Sequence, residues 1–230
     1  MKTMNYQKTG RILGMLFLLI FIVGAGGLSQ RGLSTSLVAD PDFLDLVREQ
    51  AFAMKISIFA DVLASAIGII IAVFLYPLLK KHYGGIAIAY LALWVLQSAV
   101  AFIGDISHLS LISLSQEYTT TSAMDNGYYS TFGSMLVEDY FWSHFLSLII
   151  YAAGAWLLYF VLLKVKLVPQ WLALWGMLAV TIVFTVTWLQ IFDQSVSFSF
   201  YLQNGVFMIS FIIWLLIKGF KNPIEPAVDH

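Results

Sequence analysis

The 230-residue sequence contains no cysteine. That single absence excludes disulfides, thiolate metal sites and cysteine nucleophiles together. Charge is also scarce, at 11% of residues where a soluble domain carries about 25%. Twelve basic and thirteen acidic residues leave a net charge of −1, which offers no basic surface and so no nucleic-acid partner. No phosphate-binding glycine loop, dinucleotide fingerprint or Gly-x-Ser-x-Gly elbow occurs in the chain, so the common motif-bearing enzyme classes are not indicated.

What the sequence has in excess is apolar surface: 60% of residues are hydrophobic and the mean hydropathy is +0.85. Too few polar side chains remain to coat a water-facing globule, which excludes a soluble monomer and makes the lipid bilayer the first expected partner. Sixteen glycines and 16% aromatic residues suit a helical bundle, where Gly permits close helix contact and Trp and Tyr gather at the interfaces.

A helix needs roughly 20 apolar residues to cross a hydrocarbon core. Six segments qualify: 12–28, 52–79, 85–109, 140–163, 171–192 and 200–217. The expected fold is all-α, a single six-span membrane domain over residues 1–230 with external segments at 29–51 and 110–139 and an amphipathic external helix. The first span follows Lys2, Lys8 and Arg11 and ends in Gly24-Ala25-Gly26-Gly27. It imitates a signal peptide, but its A-x-A pattern is incomplete, so an uncleaved span is expected.

Lys2, Lys8, Arg11, Lys80, Lys81, Lys164, Lys166, Lys218 and Lys221 fall on one side of these spans, and Arg31, Arg48 and Lys55 on the other. The positive-inside rule then places both termini in the cytoplasm. In the first external segment, Asp40-Pro41 reads as an N-cap followed by proline at the first helical position. Phe43, Leu44, Val47 and Phe52 recur at helical spacing opposite Asp42, Asp45, Arg48 and Glu49. This predicts an amphipathic helix on the outer leaflet or capping the bundle. In the second, residues 116–122 read as a polar loop, and Asp125 as the cap of a helix continuing into the fourth span.

Polar residues within the spans are expensive and face a bundle interior or a wet cavity. Ser57, Asp61 and Ser65 lie one turn apart on one face of the second span. In the third, Gln97, Gly104 and His108 align at about 100° per residue, with Asp105 at the margin of that face. Tyr140, His144, Ser147 and Tyr151 form a comparable stripe on the fourth. Gln190 and Asp193 close the fifth span, and Gln203 and Asn204 open the sixth. Their depths predict one polar level in the outer half. His82 reads as a loop residue beside Lys80 and Lys81, and His230 as a terminal one. Trp142, Trp156, Trp171, Trp175, Trp188 and Trp214 read as an interfacial belt.

The polar level admits a structural reading, in which these groups satisfy one another through interhelical hydrogen bonds. The leading functional reading is an outer-half cavity that binds a small molecule or lipid headgroup, with Asp61, Gln97, Asp105, His108, His144 and Ser147 as ligand-binding residues and no cofactor. The runner-up is a metal-dependent intramembrane hydrolase, in which Asp61, Asp105, His108 and His144 hold Zn²⁺ and the metal activates water. A third alternative is an accessory or sensor subunit of a membrane complex, which needs no pocket.

Three stretches carry a family likeness. Leu158-Tyr159 and Leu162-Leu163 followed by Leu167-Val168-Pro169-Gln170-Trp171-Leu172 and Trp175-Gly176 resemble a signature of bacterial membrane proteins grouped as "domain of unknown function 4386". Leu114-Ser115-Gln116-Glu117-Tyr118 with Tyr129, Gly133 and Leu136, and Lys8-Thr9-Gly10-Arg11 before Leu13-Gly14, are similar to the same family. The likeness runs from about Gln7 to about Lys218, with Gln170 standing where the family commonly has arginine. It implies a six-span bacterial membrane protein of about this length and brings no activity with it.

The topology is testable directly because no native thiol interferes. An impermeant maleimide added to intact cells should label an Asp40→Cys variant, and should label a Lys80→Cys variant only after permeabilisation. The reverse pattern overturns the orientation.

Overall fold

The structure is a computed structural model that describes residues 5–34, 36–118 and 126–222. Among these the chain is helical with no strand. The order is α1 (Tyr6–Gln30), a 3-10 turn (Leu37–Ala39), α2 (Phe43–Glu49), α3 (Ala51–His82), α4 (Gly84–Tyr118), α5 (Asn126–Lys164), α6 (Gln170–Ile191) and α7 (Ser199–Lys218). All but α2 are long and apolar enough to cross a membrane, so the expected multi-pass all-α class holds. Ile88, Ile103, Leu178 and Ile217 are among many large apolar side chains left exposed on these helices. Such a surface suits lipid and is a liability in water.

The helices outrun the apolar segments that predict them. α4 continues past residue 109 to Tyr118, and α5 begins at Asn126, before the apolar run at 140, as expected for a helix leading into the fourth span. The reason is packing. Leu111 and Ile112 of α4 and Leu136 and Val137 of α5 are buried in one cluster with Phe43, Leu44 and Val47 of α2 and Met54 and Ile58 of α3. Apolar periodicity therefore persists where average hydropathy has already fallen. Of the predicted loop at 116–122, residues 116–118 instead form the end of α4; residues 119–122, the predicted cap at Asp125 and His230 lie outside the described residues.

α2 departs from expectation in its start and in one face residue. It begins at Phe43, because Asp40 uses its carboxylate to accept the Asp42 N–H at 2.9 Å, forming an Asx turn. Asp42 then becomes the capping residue, without a side-chain cap bond. Phe43 is 3% exposed and belongs to the cluster, whereas Phe52 is 78% exposed and does not. Gln50 interrupts the helix between α2 and α3, so the helical register that aligned Phe52 with Phe43 is not kept.

The chain divides into two compact units. The first comprises residues 1–20, 67–96 and 148–230 and contains α6 and α7 entire. Its core is aromatic: the Tyr159 ring meets Phe207 edge-on at 5.1 Å and Phe211 at 5.6 Å, and Trp175 meets Phe207 at 5.5 Å. Pro169 caps α6, and the Lys221 N–H donates to the Leu167 carbonyl at 2.8 Å, tying the end of α7 to the α5–α6 turn. Gly68 faces the Trp94 ring, while Gly24 and Gly26 face no neighbour. Close helix packing is expected from the sequence at Gly24, Gly26, Gly27 and Gly68; Gly68 and Gly27, where a Cβ would meet Ala60 Cβ at 2.9 Å, satisfy that expectation and the other two do not.

The second unit comprises residues 21–66 and 97–147 and is built around the Phe43–Val47 cluster. Phe43→Ala should cost this unit about 3–5 kcal/mol by cavity formation. Phe52→Ala, at an exposed position, should cost less than about 0.5 kcal/mol. Unfolding midpoints of the two variants in detergent micelles measure the difference.

Candidate functional site

Asp61 sits within the apolar run of α3, where a lone carboxylate is costly. Its counter-charge is Arg31, just beyond the end of α1. Gly32 makes this possible by adopting φ +65°, a left-handed conformation that reverses the chain. A Cβ at Gly32 would meet Met54 Cε and Gln50 Oε1 at 2.7 and 2.8 Å. Arg31 thus reaches back, and its Nη2 donates to Asp61 Oδ1 at 2.9 Å and Oδ2 at 2.8 Å. The two side chains are 13% and 21% exposed, so the pair is sheltered without being sealed.

The guanidinium also lies over the Tyr140 ring of α5, 5.6 Å from its centre, a cation–π placement. Tyr140 organises the rest. His144 stacks with it at 6.2 Å and 10°, and His108 of α4 meets it edge-on at 5.4 Å. α4 comes close to α5 here because Gly104 has no side chain. A Cβ at Gly104 would meet Ser143 Cβ at 3.2 Å and the Tyr140 carbonyl oxygen at 3.4 Å. Asp105 and His108 follow on the same stretch, 6% and 0% exposed. Asp105 lies within electrostatic reach of both Arg31 and Asp61, and His108 and His144 within reach of Arg31.

Asp61, Asp105, His108 and His144 are therefore drawn around Arg31 and Tyr140, all within the second unit. Gln97 is half-buried two turns earlier on α4. The Ser147 hydroxyl donates to the His144 carbonyl at 2.8 Å, so it is used within its own helix. Gln190, Asp193, Gln203 and Asn204 belong to the first unit, where Gln190 accepts the Tyr201 hydroxyl at 2.5 Å and Gln203 donates to the Ala179 carbonyl at 3.0 Å.

Several buried polar atoms of the second unit have no hydrogen-bond partner among protein groups: Asp105 Oδ2, both ring nitrogens of His108, Arg31 Nε, Ser57 Oγ and Gln97 Oε1. Buried polar atoms are ordinarily paired, and each unpaired one costs about 1–3 kcal/mol. Among the described residues, no three His, Asp or Glu side chains are placed together to hold a metal ion. A crevice of about 360 Å³ in this unit is lined by Ile106, Leu109, Ser113, Glu117 and Phe132, on the face of α4 turned away from Asp105 and His108.

Sequence reasoning missed Arg31 as a site residue. The available signal was the demand of Asp61 for a cation, with Arg31, Arg48 and Lys55 the only basic residues expected on that side.

A family profile described as "Domain of unknown function (DUF4386)" matches residues 12–219. No curated protein and no solved structure matches the chain.

Breaking the Arg31–Asp61 pair should be worse than deleting it. Arg31→Gln or Asp61→Asn alone leaves one sheltered charge uncompensated and should destabilise by about 3 kcal/mol. The double variant, which removes both charges, should recover most of that loss. Chemical unfolding of the three variants in one detergent checks the cycle.

Proposed function

Since this chain belongs to the family of domain of unknown function (DUF4386), whose description names no activity, we propose a function from the site itself: binding of a small polar molecule or lipid headgroup at the Arg31–Asp61–Asp105–His108 cluster. The observation that carries this reading is His108. It is fully buried, and neither of its ring nitrogens has a protein partner. A neutral imidazole there offers one donor and one acceptor at a substantial standing cost. Asp105 Oδ2 adds a second acceptor beside it.

A guest with complementary donors and acceptors satisfies these atoms, and its binding energy grows with the cost it removes. The site is sheltered enough for hydrogen bonds to be strong, and its charged pair is partly reachable from outside. Among the described residues, no three His, Asp or Glu side chains are grouped as the metal-dependent hydrolase reading would require. The proposed activity is binding without chemistry, in a multi-pass membrane protein.

Storage of unsatisfied groups for a ligand predicts a trade between stability and function. His108→Phe keeps an aromatic ring against Tyr140 and removes both unpaired nitrogens. In ligand-free protein it should raise stability by about 1–3 kcal/mol. In nanodiscs, a panel of soluble headgroup fragments should include at least one that raises the wild-type melting midpoint but leaves that of His108→Phe unchanged. If His108→Phe is instead destabilised and no fragment shifts the wild type, the nitrogens serve the fold and the binding reading falls.

A further inference from the structure

Arg31 holds Asp61 in an unusual way. A guanidinium matches a carboxylate best as a fork, with two nitrogens on two oxygens. Here one nitrogen, Nη2, serves both oxygens of Asp61, and the buried Nε has no partner. The residue sits on non-helical chain beside the left-handed Gly32, so its position depends on a turn and not on a rigid helix. What it occupies is a carboxylate next to the face of a tyrosine ring. Those two features together recognise organic cations in general.

We propose that Asp61 and the Tyr140 face form a binding site for an organic cation, a protonated amine or guanidinium carried by a small molecule or lipid headgroup, and that Arg31 is a tethered occupant displaced when such a ligand binds. The proposal rests on the binding function above and names its ligand class. Displacement exchanges one cation for another at the same carboxylate, so that contact alone gives the ligand little advantage. The gain comes from Asp105 and His108. They are 6% and 0% exposed, they lie within electrostatic reach of the site, and they have unpartnered polar atoms. The hydrogen bonds Arg31 makes here go to Asp61. A ligand that carries a hydroxyl, amide or second donor beside its cation reaches Asp105 and His108 as well. Arg31 thereby sets a threshold: apparent affinity equals intrinsic affinity scaled by the fraction of protein in which the site is open.

The sign of the Arg31 effect tests this. The full chain in nanodiscs is titrated with ethylammonium and methylguanidinium chloride against sodium chloride at matched ionic strength, reading the melting midpoint. Arg31→Gln should be stabilised at concentrations at least about 10-fold lower than wild type, and Arg31→Gln/Asp61→Asn should not respond. A second readout uses the wild type, so a poorly folding variant does not end the test. The chain has three arginines, Arg11, Arg31 and Arg48. Saturating ethylammonium should accelerate phenylglyoxal modification of Arg31, mapped by mass spectrometry, and leave Arg11 and Arg48 unchanged. Unchanged or slowed modification of Arg31 overturns the proposal, as does an Arg31→Gln variant that folds but ignores both cations. If methyl phosphate stabilises the wild type and Arg31→Gln abolishes the response, the cluster binds anions through Arg31. The binding function then stands and the cation proposal fails. If neither these probes nor the headgroup fragments bind, both fail.

Discussion

One carboxylate in an apolar helix governs how the second unit is built. Asp61 cannot remain charged within α3 without a cation, and among the described residues the one paired with it is Arg31, thirty residues earlier in the chain. To deliver that guanidinium, α1 must end at Gln30 and the chain must reverse at Gly32, whose φ of +65° no β-branched or bulky residue adopts readily. The reversal leads into the segment whose Phe43, Leu44 and Val47 fill the cluster against α3, α4 and α5. The cap and the ion pair are therefore successive outcomes of one turn. Tyr140 completes it, supporting the guanidinium on its ring and aligning both histidines.

The helical class was legible because it depends on a sum. Six long apolar runs have no other stable form in a bilayer, where every backbone group must be paired within its own segment. Helix ends were less legible because they depend on particular contacts. Leu111 and Leu136 look like ordinary apolar residues in polar surroundings until α2 is placed against them. Phe52 shows the converse. It completes a convincing helical face in sequence, yet the interruption at Gln50 leaves it exposed. Periodicity predicts a shared face only while one helix continues without a break.

The site was legible to the extent that helical spacing reaches. Asp105 with His108, and Tyr140 with His144, are each within four residues on one helix, and the structure places both pairs about the same ring and charge. Arg31 was invisible to spacing because no regular structure connects it to Asp61, and only charge balance pointed to it. Gln190 of α6 and Gln203 of α7 make their hydrogen bonds within the first unit.

The contrast between the two units bears on whether the cluster is structural or functional. In the first unit, polar side chains mostly find one another. Tyr201 bridges Gln190 and Thr187, and Gln203 returns to a backbone carbonyl. The exceptions there, His82 Nε2, Asn204 Oδ1 and Trp214 Nε1, are single atoms on separate side chains. In the second unit the unpaired atoms include a carboxylate oxygen, a guanidinium nitrogen and both nitrogens of one histidine, which are the groups whose desolvation costs most. A bundle built only for stability would replace His108 with an apolar ring at no loss of packing. Polar groups on α6 and α7 are mostly satisfied within the first unit, while in the second those around Arg31, on α3 and α4, are left unsatisfied. That pattern supports the proposed binding role over a sealed bundle.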